Sequence, residues 1–245
     1  MGERRDDAMR NMTATRPPER ETGPALEAEG PVRWQQRKSA RTRLAMLEAG
    51  IDCLVERGHG GLSASLVAER AGVSRGAMHH HFATRMELVA GLVDHVFHKR
   101  LADFLAAYAA ALAAHGAGQG EEALVEIGSD LHWKSVETRE YAAYVELAVA
   151  ARTDPELDQL LEPALRRYDA LWRQEMIRFH PQWEAHWEAM QLANDFTIAA
   201  HLGLLLQRPA FGEERLERVR NLVRAVNRRL HDTPRTRAEC PTEEG

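Results

Sequence analysis

The sequence predicts an all-α protein, an N-terminal three-helix head joined to a longer C-terminal helical body. Three observations predict it. Apolar residues recur at helical spacing along most of the chain between residues 33 and 232. Capping and breaking residues divide that stretch into segments of helix length. No segment reads as a strand, and no internal repeat is present.

Leu44, Leu47, Ile51 and Leu54 share one helical face, and Gly58 follows them. The pattern predicts a helix of roughly four turns closed by a glycine cap. Ala64, Val67, Ala68 and Ala71 give a second, short helix a small-residued apolar face. Gly72 suits a left-handed C-terminal cap, and Ser74 suits the N-cap of a third helix. In that third helix Met78 and Phe82 face inward, which leaves Arg75, Ala77, His79 and His80 outward. Short helix, glycine turn and short helix make a helix-turn-helix, whose second helix is shaped for a DNA major groove.

Thr84-Arg85-Met86-Glu87 reads as a capping box that starts a fourth helix. Its apolar positions run through Leu88, Leu92, Val96, Phe104 and Tyr108 to a break at residues 115–120. Further helices are expected over Glu121–Trp133, Val136–Ala151, Pro155–Phe179, Glu184–Leu206 and Glu213–His231. Asp154-Pro155 is an N-cap followed by proline at the first helical position. The expected organisation is a disordered arm at 1–32, a head at 33–90, a body at 91–232 and a loose tail at 233–245.

Composition narrows the function. A chain of 245 residues with 44% hydrophobic residues can bury a real core. No apolar run reaches the ~18 residues of a membrane span. Residues Met1 to Gly30 carry no apolar stretch of the kind a signal peptide needs. Cys53 and Cys240 lack metal-ligand spacing, so a cytoplasmic chain with free thiols is expected. The net charge is −5, yet residues 33–100 hold eleven basic and six acidic residues, a balance of +5. A basic head on an acidic body suits a protein that touches DNA at one end. Phosphate loops, dinucleotide fingerprints and Gly-x-Ser-x-Gly are missing, so no catalysis and no cofactor are expected. Twelve histidines offer no spacing that suggests a metal site.

The head resembles the TetR family of bacterial transcription regulators. The residues that carry the resemblance are Ala68, Ala71, Gly72, Val73, Ser74, Gly76, Met78, Phe82, Thr84, Arg85 and Leu88, within about a quarter of the chain, roughly Lys38 to Val96. Two positions depart from the family pattern: His79 replaces the usual tyrosine, and Arg85 the usual lysine. The resemblance implies a homodimeric repressor that leaves a palindromic operator when a small effector binds. Arg75, Ala77, His79 and His80 are expected to face the major groove beside Ser74, with Gly76 allowing close approach. Arg41, Arg43, Ser63, Thr84 and Arg85 are expected on phosphates.

The resemblance also implies a pocket in the body. Trp133, Tyr141, Tyr144, Leu147, Tyr168, Trp172, Met176 and Phe179 are its candidate lining, with His132 and His201 as candidate polar anchors. Such a lining suits an apolar or aromatic effector. The two heads require a two-fold partner. The candidates for that contact are Ala193, Phe196, Ala200, Leu204, Leu222, Val226 and Leu230. The competing reading is a DNA-binding regulator or DNA organiser controlled by a protein partner, with no small ligand.

Overall fold

A computed structural model describes residues 31–115 and 120–238. Most of the expected N-terminal arm and the last seven residues lie outside the described residues. The described chain divides into two units between Ser39 and Ala40. In the first, the start of α1 (Pro31–Gly61) places Lys38 Nζ 5.2 Å over the Trp34 ring.

Three helices build the head, and the first turns of a fourth pack against them. The regular turns of α1 end at Gly58, whose φ of 67° is the left-handed conformation that glycine adopts without strain. Ser63 caps α2 (Ala64–Arg70) by accepting from Leu66 N at 3.2 Å. Gly72, φ 65°, turns the chain, and Ser74 caps α3 (Arg75–His81) by accepting from Ala77 N at 3.1 Å. Thr84 Oγ1 accepts from Glu87 N at 3.0 Å to start α4 (Arg85–His115). The return arm of this capping box goes one residue further back than usual, from Ala83 N to Glu87 Oε2 at 2.8 Å.

α2 and α3 have seven residues each, too few to be stable alone. Tertiary burial holds them. Met46, Ile51, Leu54, Val67, Met78, Leu88 and Leu92 are 0–1% exposed and share one cluster. Each such side chain contributes about 1.5–3 kcal/mol. The cluster continues without a break into Ala143, Leu147, Leu157 and Leu161 of the body.

The body contains α5 (Glu121–Val136), α6 (Arg139–Ala151), α7 (Pro155–Phe179) and α8 (Trp187–Ala238), with a 3₁₀ turn at Pro181–His186. α4 packs on α5, α6 and α7, and α5 lies against α8. Asp154 starts α7 at the expected residue, accepting from Glu156 N and Leu157 N at 3.1 Å each. Two boundaries move. Val136 is buried and closes α5, so α6 begins at Arg139 under a Thr138 cap. The proline-led 3₁₀ turn delays the next helix from Glu184 to Trp187. α8 is interrupted at Gly212, where φ is 67°. Among the described residues no strand occurs, and no helix is long and apolar enough to cross a membrane.

Candidate nucleic-acid interface and internal cavity

α3 presents Arg75, Gly76, His79 and His80 outward, while Met78 beneath them is buried. Ala77 is half-buried and its amide is held by Ser74. A Cβ added at Gly76 would meet nothing in the chain nearer than 3.9 Å. The fold therefore does not require glycine there; an external surface that comes close to the helix would.

Arg41, Arg43, Ser63, Ser74 and Thr84 are exposed around this helix. Arg43 spreads its guanidinium 4.9 Å over the Phe82 ring. Ser63, Ser74 and Thr84 already use their hydroxyl oxygens as helix caps, and each hydroxyl proton can still be donated. Arg85 behaves differently from the expectation of a purely external contact. Its Nε donates to Leu62 O at 3.2 Å and its Nη2 to His59 O at 2.9 Å. It thereby ties α4 to two carbonyls where α1 ends, of which His59 O also accepts from Leu62 N at 3.2 Å. Burial and the Arg85 charge lower the pKa of His59.

The body holds a partly open cavity of about 320 Å³ lined by α4, α5, α6, α7, the 3₁₀ turn and α8. Of the expected lining, Tyr144, Tyr168, Trp172 and Met176 border it. Four expected residues lie elsewhere. Leu147 belongs to the core shared with the head. Trp133 and Tyr141 pack with Leu204 and Leu216. Phe179 sits edge-on to Tyr108, ring centroids 5.5 Å apart. Of the two candidate anchors, His132 borders the cavity, and His201 backs it with Nδ1 3.0 Å from His132 Nδ1.

The sequence reading missed Arg100, Phe104 and Asn227 as lining residues. Arg100 counted there only as one charge of the basic head. A signal was available: Phe97, Arg100, Phe104 and Tyr108 follow one helical face, and a lone arginine in an aromatic row is unusual.

The proposed contact between copies also moves by a residue. Ala193 and Leu204 are buried within the chain. The exposed stripe of α8 is Leu192, Ala199, Gly203 and Leu206, with Leu222 beyond the break. Among the described residues, no three histidine, cysteine or carboxylate side chains are grouped to hold a metal ion.

An all-α chain with a capped helix-turn-helix and a hollow helical body is a DNA-binding transcription regulator in its architecture. The profile described as "Bacterial regulatory proteins, tetR family" matches residues 46–92. An HTH-type transcriptional regulator of Mycobacterium tuberculosis is 34% identical over 139 residues, 57% of this chain and 68% of that protein. A transcriptional regulator of a Rhodococcus species shares the fold with a TM-score of 0.54 at 22% identity, covering 75% of this chain and 94% of that one. The multidrug binding protein EbrR, solved with imidazole, shares it with a TM-score of 0.52 at 19% identity, covering 77% and 93%. The chain belongs to the TetR family of bacterial transcription regulators.

Proposed function

We propose that the protein is a homodimeric repressor in the cytoplasm, released from a palindromic operator when a small molecule fills its cavity. The observation that carries this reading is the course of α4. Its first turns, at Leu88 and Leu92, pack in one core with Met78 and Phe82 of the recognition segment. Three turns later the same helix lines the cavity with Phe97, Arg100 and Phe104. An occupant that prefers a different setting of α4 therefore shifts the head that α4 supports. The neighbour EbrR, described as a multidrug binding protein, supports the body as a container for small molecules.

Two-fold symmetry is supported by the exposed stripe of Leu192, Ala199, Gly203 and Leu206, where small residues permit close helix approach. In the reading proposed, Arg75, Ala77, His79 and His80 meet base edges, and Arg41, Arg43, Ser63, Ser74, Thr84 and Arg85 hold the backbone.

The test is Arg75→Ala, measured on fragments the wild type selects. The expected outcome is about 1–3 kcal/mol of lost specific affinity with relaxed base preference. Unchanged affinity and preference would remove Arg75 from base reading.

A further inference from the structure

Among the described residues Arg100 is the only lysine or arginine bordering the cavity. Its guanidinium carbon lies 4.6 Å from the Tyr141 ring centroid, 4.3 Å from that of Tyr144 and 5.3 Å from that of Tyr168. The rings hold the cation by their faces, and among the described residues no group pairs with its N–H fork. Among the described residues no carboxylate pairs with it. Asp169, the one acid on the wall among the described residues, is exposed and accepts from Gln191 Nε2 at 3.3 Å. His132 cannot share the cationic role, because burial, His201 and Arg100 push its pKa down to about 3.

The other end of the cavity is polar, with the His231 ring 5.4 Å from that of Trp183. Tyr108 lies eight residues beyond Arg100 on α4, about 12 Å along the helix axis. Its hydroxyl is 2.6 Å from His180 Nε2, and the His180 ring stacks on Trp183 at 4.2 Å. Trp183 Nε1 and Asn227 Oδ1 are buried there with no hydrogen-bond partner among the described residues, although Asn227 Nδ2 donates to Thr197 at 2.7 Å. Buried polar atoms are rarely left so. Phe104, Trp172, Met176 and Met190 make the wall between the two ends apolar.

We infer that the effector is an amphipathic organic acid, its carboxylate held by the Arg100 fork, its apolar body lying along α4, and a hydroxyl or similar group meeting Trp183 and Asn227. This rests on the proposal that the cavity is an effector site. A planar carboxylate matches the guanidinium with two parallel hydrogen bonds. A terminal hydroxyl accepts from Trp183 and donates to Asn227, completing both atoms.

The full chain is titrated with decanoate, decanamide, ω-hydroxydecanoate, phenylbutyrate and phenylbutyramide. Tryptophan fluorescence, which Trp172 and Trp183 report from the wall, and thermal unfolding give the affinities. Each acid is expected to bind at least about tenfold more tightly than its amide. ω-Hydroxydecanoate is expected to bind more tightly than decanoate. Arg100→Gln abolishes the preference for acid over amide, its folding checked by circular dichroism. Arg100→Lys, which keeps the charge and loses the fork, retains only part of it. Amides that bind as well as acids, or a preference that survives Arg100→Gln, overturn the acid assignment and leave the effector site standing. A hydroxy acid no tighter than decanoate overturns the role given to Trp183 and Asn227. If no compound binds saturably and none releases DNA, the effector reading fails together with the acid.

Discussion

Arg139 on α6 donates through Nη1 to Asp52 Oδ1 at 2.6 Å and through Nη2 to Glu48, both on α1. Glu48 also receives Lys99 at 3.8 Å and His95 at 2.8 Å from α4. Lys99 is the neighbour of Arg100, so this charged cluster joins head, body and cavity wall within a few residues.

Arg139→Ala is expected to cost about 1 kcal/mol of stability, a modest amount because these side chains are about a third exposed. The loss should shrink in molar salt. Urea unfolding at low and high salt checks this; a loss unaffected by salt would mean the arginine acts by packing alone.

Gly76→Ala and Gly91→Ala should behave oppositely. Space is open around Gly76, so alanine there is expected to stabilise the head by about 0.5–1 kcal/mol while weakening DNA binding. At Gly91 a Cβ would stand 2.8 Å from Phe82 Cε1 and 3.2 Å from Arg43 Nη2. Alanine there should cost about 1–3 kcal/mol through overpacking. Thermal melts paired with binding isotherms separate the two. A Gly76→Ala protein with full affinity would contradict close approach of DNA at that position.

Arg85→Ala is expected to show two losses at once. Removing the two hydrogen bonds to the His59 and Leu62 carbonyls should cost about 1–3 kcal/mol of stability. Losing a phosphate contact should make the salt dependence of DNA binding shallower by roughly one unit. A destabilised variant with an unchanged salt slope would reduce Arg85 to its structural role.

Acid should unfold the protein through its buried histidines. Burial, His201 and Arg100 take His132 down to about 3; burial, Arg220 and Arg224 take His201 down to about 4 against the opposing pull of Asp130. The unfolded chain protonates these rings near 6.5. Both contributions are therefore complete above about 6.5 and are lost as pH falls toward 4 and below. At pH 5 each ring should have cost up to about 2 kcal/mol. Denaturant melts at pH 7.5 and pH 5 measure this, and His201→Asn should flatten the slope. Equal stability at both values would show that the pair is charged or hydrated in the folded state.

The parts of this structure that were legible in the sequence are those set by local chemistry. Ser63, Ser74, Thr84 and Asp154 each cap a helix within three residues, so the pattern of residue types announces the helix start. Arg85 was only half legible, because its carbonyl partners lie 23 and 26 residues away. Body helices are apolar on more than one face, so periodicity does not distinguish Tyr144, which lines the cavity, from Leu147, which fills the core one turn on. The same ambiguity, a rotation of one residue, put Ala193 rather than Leu192 on the outside of α8.

The most direct test of the account is selection of genomic fragments by the purified full chain, followed by sequencing and by titration of the winners at several salt concentrations. The account predicts a palindrome whose half-sites lie roughly one helical turn or a multiple apart, bound by two or more copies with a steep salt dependence. A lone half-site bound by a single chain, or no enriched sequence at all, would contradict it.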